Sequence, residues 1–162
     1  MSDEALRWAE LPGDASDLAA AVRERFEAHP HHVLATLHLD GRPRVSGTNV
    51  MFGPGTLWIG SMPGALKSLD LRRDPRCALH SAPLSEELAV QEADARIEAV
   101  AVALGDDEAE RLLVDAFGDD ASMDGDMWEL RIRSMSLVHV EGDRMWVRSW
   151  SPDRGEEVVS RS

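Results

Sequence analysis

The sequence predicts a mainly β (α+β) fold, an antiparallel barrel with peripheral helices, and three observations carry that prediction. About seven short runs have strand character, and only two or three stretches read as helix. The connections are of hairpin length and are built on Asp-Gly, Gly-Pro-Gly and Glu-Gly-Asp turns. Strands and helices do not alternate regularly, which disfavours a doubly wound parallel sheet and the nucleotide folds built on one.

The elements follow from local pattern. Residues Asp14 to Ala28 form an amphipathic helix, capped by Asp14 or Ser16, with Leu18, Val22 and Phe26 on one face and His29-Pro30 as its stop. His32 to Leu39 is a strand, Asp40-Gly41 a tight turn, and Pro43 to Phe52 the returning strand. Gly53-Pro54-Gly55 turns the chain into Thr56 to Gly60, after which Leu66 to Arg73 is a short helix ended by Pro75. Arg76 to Ser81 is a further strand, and Ala82 to Gln91 is polar and irregular. Ala93 to Leu104 has small apolar residues at alternate positions (Ala93, Ala95, Ile97, Ala99, Ala101), as a half-buried strand requires. A helix from Asp107 to Phe117 buries Leu112, Leu113 and Ala116, and an acidic loop, Gly118 to Asp126, precedes strands at Met127 to Ile132, Ser136 to Val140 and Arg144 to Trp150. The length of 162 residues fits one domain, 1–162, with 1–13 as a flexible N-terminal segment.

Charge gives the first functional indication. The formal net charge is −13, yet residues 41–80 carry 6 basic and 2 acidic side chains, a local net of +4. An anion is expected to sit there. Long nucleic acid is excluded by the overall charge and by the lack of a basic stripe with interleaved aromatics, which leaves a small phosphorylated ligand. No run approaches the roughly 20 apolar residues of a membrane span, and the acidic N-terminus is unlike a signal peptide. A soluble, cytoplasmic protein without a membrane partner is expected. The single cysteine, Cys77, excludes an internal disulfide and any multi-cysteine metal site, and its apolar strand favours a small hydrophobe over a reactive thiol. The chain has 16 Arg and one Lys, which singles out Lys67.

Lys67 stands in the segment richest in chemistry, Leu57-Trp58-Ile59-Gly60-Ser61-Met62-Pro63-Gly64-Ala65-Leu66-Lys67-Ser68. A strand runs through a Gly and Ser loop into a helix start, where backbone N–H groups, hydroxyls and a cation can meet a phosphate. Ser61, Lys67 and Ser68 supply the side-chain donors, and Gly60 and Gly64 permit close backbone approach. An ordinary Gly-rich turn with a surface lysine is the competing reading. The spacing between Gly64 and Lys67 is wrong for a P-loop. The His29, His31 and His32 cluster lacks a neighbouring carboxylate or cysteine, and Asp120 to Arg131 imitates a calcium loop but has Arg131 where the bidentate glutamate belongs, so no metal site is expected. His38 and His80 read as structural strand histidines, and no catalytic proton donor is evident.

Three stretches carry a resemblance: His38-Leu39-Asp40-Gly41-Arg42-Pro43-Arg44-Val45-Ser46, then Leu57 to Ser61, then Lys67-Ser68-Leu69-Asp70-Leu71-Arg72-Arg73-Asp74-Pro75-Arg76. Together with Val140 to Arg144 and Trp150-Ser151-Pro152, they resemble the pyridoxamine 5'-phosphate oxidase-like split β-barrel family, and most of all its actinobacterial branch, which uses FMN or coenzyme F420. The resemblance implies an FMN-binding split barrel working as a homodimer, with cofactor sites at the interface and a small-molecule substrate. It implies that Ser46 and Thr48 lie along the ring and that Ser61 and Lys67 hold the phosphate with Arg72 or Arg73 nearby; the five tryptophans either stack on the ring, with Trp150 of the C-terminal segment the first candidate, or fill the core and dimer seam, the favoured reading. Arg42, Arg44 or Arg76 could meet the anionic tail of F420, a slight preference for that cofactor. Ala65 and Leu66 stand where many relatives have a basic residue, and an R-x-x-x-x-K pattern is absent from Ser46 to Met51, so a true pyridoxamine phosphate oxidase is not implied. The implied activity is a flavin- or deazaflavin-dependent oxidoreductase; the other reading is a non-catalytic protein that binds or sequesters flavin, F420 or a haem-like tetrapyrrole.

Overall fold

The computed structural model describes residues 4–82 and 93–162. Its elements, in chain order, are α1 (Ser16–Glu27), β1 (His32–Leu37), β2 (Pro43–Thr48), β3 (Met51–Gly53), β4 (Thr56–Ser61), α2 (Leu66–Arg73), β5 (Arg76–His80), β6 (Ala93–Ala103), α3 (Asp106–Phe117), β7 (Asp126–Glu141), β8 (Arg144–Ser151) and β9 (Gly155–Arg161). The nine strands form one sheet ordered β2-β1-β5-β6-β7-β4-β3, with β8 and β9 branching from β7. Every pairing is antiparallel. This is the predicted fold class, an open antiparallel split barrel with peripheral helices.

The branch at β7 produces the split. Along one edge β7 pairs with β6 from Trp128 to His139. On its other edge, Asp126 to Glu129 pair with β4, whereas Met135 to Glu141 pair with β8. A bulge separates the two halves: Glu98 faces Ser134 and Ala99 faces Ile132, so Arg133 is the extra residue. Such an insertion bends the strand and raises its twist. At the far end the sheet curls until its terminal strands, β2 and β3, are joined by Asn49 and Val50 alone. These two strands share no ladder, so the barrel has an open seam.

The interior is apolar. Leu57 and Ile59 of β4, Ile97 of β6, and Leu130, Ile132 and Met135 of β7 are almost fully buried, each contributing about 1.5 to 3 kcal/mol if such burial follows transfer data. Helix α1 closes one mouth with Leu18, Val22 and Phe26, the residues its periodicity picks out. A polar knot fixes α2 to the sheet. The buried carboxylate of Asp70 accepts from Thr36 Oγ1 at 2.8 Å, Arg44 Nε at 2.6 Å and Arg73 Nη2 at 3.1 Å. Burial works against its charge, but the Arg44, Thr36 and Arg73 hydrogen bonds outweigh that and hold the carboxyl below its ordinary value.

Several sequence expectations need correction. The residue capping α1 is Ala15, with no side-chain cap, because a short 3₁₀ turn at Gly13–Ala15 leads directly into the helix. The predicted strand Pro43 to Phe52 is two strands at opposite ends of the sheet order, and the two predicted strands between Met127 and Val140 are one. Strand β9 was not foreseen, since its pattern is largely exposed. Ala116 is exposed and not part of the buried face of α3. The N-terminal segment, expected to be flexible, is docked over residues 6–10: Leu6 and Ile132 exchange backbone hydrogen bonds, Ala9 N–H donates to Gly55 O, and Trp8 packs edge-on against Phe52. Arg7 Nε also lies 3.2 Å from the buried Glu129 carboxylate. The predicted irregular stretch lies outside the described residues beyond Ala82.

The knot at Asp70 sets a pH dependence. A carboxyl held low in the folded state adds stability that is complete above the unfolded value near 3.8 and is lost as pH falls through the lower folded value. Asp70→Asn is expected to lower the unfolding free energy at pH 7 by about 1.5 to 3 kcal/mol, the scale of hydrogen bonds to a charged group. Urea unfolding at pH 7 and pH 3 checks this, with a smaller difference between the two proteins at pH 3.

Candidate functional site at the barrel seam

The seam holds a cleft of about 560 Å³. Its walls come from the end of β2 (Gly47, Thr48), the connecting Asn49, Trp58, Gly60 and Ser61 on β4, Ala65 and Lys67 at the start of α2, Leu113 and Phe117 of α3, and Met123 and Asp124 of the loop before β7. His31, just ahead of β1, completes the rim. One side is apolar, because Trp58, Leu113 and Met123 belong to a second hydrophobic cluster between α3 and β4, and Phe117 sets its ring edge against Trp58.

Local sequence explains how the polar side is presented. Met62-Pro63-Gly64-Ala65 makes a turn closed by Ala65 N–H to Met62 O at 3.1 Å, with Gly64 at φ 71°, a conformation that suits glycine. The turn brings the start of α2, Ala65 and Lys67, to the seam, while the Ser68 and Leu69 N–H groups of its first turn bond back to Ala65 O. Lys67 then reaches across the open seam and donates from Nζ to Gly47 O at 3.1 Å. Burial pushes its ammonium below the ordinary lysine value, a cost that a neighbouring anion would relieve.

Behind Lys67 runs a chain of hydroxyls. Trp128 Nε1–H donates to Ser68 Oγ at 3.2 Å, and Ser68 is hydrogen-bonded to Ser61 Oγ. An indole N–H is a donor only, so Ser68 Oγ accepts from Trp128; when the Ser68 hydroxyl in turn donates its hydrogen bond to Ser61 Oγ, the Ser61 O–H is free to donate into the cleft.

The structure therefore sorts the predicted site residues. Thr48, Ser61 and Lys67 line the cleft together. Ser68 lies behind it, buried, and acts through Ser61. Ser46 is on β2 but is not in the cleft wall. Arg72 forms an ion pair with Asp126 at 2.5 Å beside a neighbouring groove, and Arg73 donates to Asp70 and to Leu37 O on the β1 side of α2. Trp150 is buried in the main core. The three arginines weighed for an F420 tail are each paired with a carboxylate, Arg42 with Asp40, Arg44 with Asp70 and Arg76 with Asp74, and none lines the cleft.

The histidines divide as well. His32 is buried and accepts from Ala82 N–H at its Nδ1, with burial lowering its pKa. His38 and His80 bond to Arg44 and Ser81 O away from the cleft. His31 is the one the sequence reading did not select, and it hydrogen-bonds to Asn49 Oδ1 at 3.0 Å. The signal for it was cross-strand register: His32 faces Thr48, so His31 falls opposite Asn49. Among the described residues, no three His, Cys, Asp or Glu side chains converge on a metal position. Burial pushes the Cys77 thiol up to about 12, which makes it a small hydrophobe.

With the fold and cleft in place, comparison with known proteins identifies the class. Residues 18–147 match the family model for pyridoxamine 5'-phosphate oxidase, and the chain belongs to that family. A search of curated proteins found no match. Among solved structures, a heme binding protein from Mycobacterium smegmatis aligns with TM-score 0.64 at 23% identity, covering 88% of this chain. This chain spans 60% of that protein's length. PhzG from Burkholderia lata 383, solved with tetrahydrophenazine-1-carboxylic acid, aligns with TM-score 0.65 at 14% identity over 99% of this chain and 98% of its own. A pyridoxamine 5'-phosphate oxidase-related, FMN binding protein from Nostoc punctiforme PCC 73102 aligns with TM-score 0.62 at 11% identity over 95% and 99%. These likenesses concern the fold. No helix among the described residues is long and apolar enough to cross a membrane.

The cleft depends on one glycine outside the predicted motif. A Cβ on Gly125, whose φ is 137°, would lie 2.0 Å from Ser61 O. Gly125→Ala is expected to force the Met123-Asp124 loop away from β4 and to cost at least about 2 kcal/mol, combining backbone strain with the collision. Urea unfolding gives the cost, and Trp58 fluorescence in a variant lacking the other tryptophans reports the loss of the wall.

Proposed function

We propose that the chain is a flavin- or deazaflavin-dependent oxidoreductase, with FMN or F420 in the seam cleft, a small organic substrate, and a homodimer as the working form in the cytoplasm. The carrying observation is the division of the cleft: hydroxyls and a half-buried lysine on one side, and Trp58, Met123, Leu113 and Phe117 on the other. That donor set suits a phosphate, and the apolar wall suits a planar ring. A cavity of about 560 Å³ lies within the roughly 300 to 1,000 Å³ of small-molecule sites.

When bound, such a cofactor supplies the hydride chemistry through its ring. The chain's own work is placement. Lys67 compensates the phosphate's charge and anchors that end next to β2, while Ser61 donates from a hydroxyl whose acceptor side Ser68 occupies. The apolar wall excludes water from the ring. A second reading, a non-catalytic binder of flavin, F420 or a haem-like tetrapyrrole, draws support from the heme binding protein that shares the fold.

Titration of the purified protein with FMN, F420 and haemin, read as dissociation constants, tests the proposal, with sedimentation to establish the dimer. Micromolar binding of FMN or F420 together with turnover of an electron acceptor by the reduced cofactor supports the oxidoreductase. Binding without turnover, or binding of haemin alone, supports the second reading. Lys67→Ala is expected to weaken cofactor binding by about 1.5 to 3 kcal/mol, the scale of a charged hydrogen bond. Unchanged affinity removes Lys67 from the site.

A further inference from the structure

The charges around the cleft do not balance for the ligand just proposed. A phosphate monoester carries a charge of roughly −1.5 to −2 near neutral pH. Against it the described lining offers Lys67 from α2 as its permanent cation, and Asp124 from the loop before β7 offsets that charge. Arg42, Arg44, Arg72, Arg73 and Arg76 are paired with other groups and lie outside the wall. His31 is the remaining lining side chain that can become positive.

Its placement suits that task. Asn49 Oδ1 is 3.0 Å from His31 Nδ1 and accepts its proton, which leaves Nε2 to take up the second proton that makes the ring cationic. Lys67 Nζ is tied to Gly47 O, two residues before the Asn49 that holds His31, so both side chains are fastened to the same short segment of the cleft wall. A phosphate group has several acceptor oxygens and can take donors from two side chains of one cleft.

We infer that His31, oriented by Asn49, is the second cation for the cofactor's phosphate, and that cofactor affinity is consequently gated by pH through the imidazole. This inference rests on the reading that the cleft takes a phosphorylated cofactor. Protonated His31 joins Lys67 on the phosphate; neutral His31 leaves Lys67 alone with it, opposed by Asp124. Imidazole is the side chain whose charge physiological pH can change, so weaker binding on a rise in pH is the expected consequence.

The test measures dissociation constants between about pH 6.5 and 8.5 for wild type, His31→Gln and His31→Lys. The ligand is whichever of FMN and F420 binds, with the corresponding phosphate-free ring compound, riboflavin or the deazaflavin, as control. The phosphate's own ionisation is common to all three proteins, so differences between them isolate the side chain. The expected result is binding about five- to tenfold weaker in His31→Gln at the acid end and equal to wild type at the alkaline end. His31→Lys should bind tightly across the range, and the control ligand should not distinguish the proteins. Superimposable pH curves for wild type and His31→Gln overturn the inference while leaving the cofactor reading intact. Equal losses for the phosphate-free control overturn it in favour of a structural role. Wild-type protein that binds neither cofactor at any pH overturns both.

Discussion

A long β-strand can hold one partner on each edge, and β7 is asked for three. Its sixteen residues pair with β6 from Trp128 to His139, with β4 from Asp126 to Glu129 and with β8 from Met135 to Glu141. The exchange of partner occurs around the bulge at Arg133, where extra twist turns the two halves away from each other. Everything else is arranged by that change. One half carries β4 and β3 round toward β2, and the other carries β8 and β9 away as a separate ribbon. Because β3 and β2 arrive without a ladder between them, the barrel keeps a seam, and backbone groups there remain free for side chains and ligand.

The seam explains why the chemistry sits where it does. A continuous wall would present hydrogen-bonded backbone to any ligand. An open one lets Lys67 reach Gly47 O, brings Asn49 beside His31, and allows the loop before β7 to supply Met123 and Asp124. The Asp70 knot keeps this geometry from drifting, since α2 carries Lys67 on the same turns that present Asp70 to Thr36 and Arg44. Stability and ligand geometry thus share one short helix.

Several features were legible in the residues. Helix α2 was found with its observed limits, Leu66–Arg73, because Pro75 stops it and the Pro63-Gly64 turn starts it. The interior face of β6 followed from alternation, and Ser61 and Lys67 were marked by the Gly and Ser loop and by the chain's single lysine. Strand division was less legible: nothing in Pro43 to Phe52 marks the passage between distant strands, since Asn49-Val50 is no stronger a breaker than Ser46-Gly47. Strand β9 hid for the opposite reason, having little apolar alternation to announce it.

What the sequence determined by itself was the set of local choices: antiparallel hairpins, the helix limits, a positive centre in an acidic chain, and a loop with phosphate-binding donors. Those depend on neighbours a few residues apart, where turn chemistry and periodicity act. What tertiary structure decided was which of the candidates meet. Arg42, Arg44, Arg72, Arg73 and Arg76 are taken up by carboxylates of the same chain, and Trp150 goes to the core. His31, unremarkable in its cluster, is brought to the rim by the register of β1 on β2. Ion pairing and register are settled between residues far apart in the chain, and only the curled sheet brings them within reach.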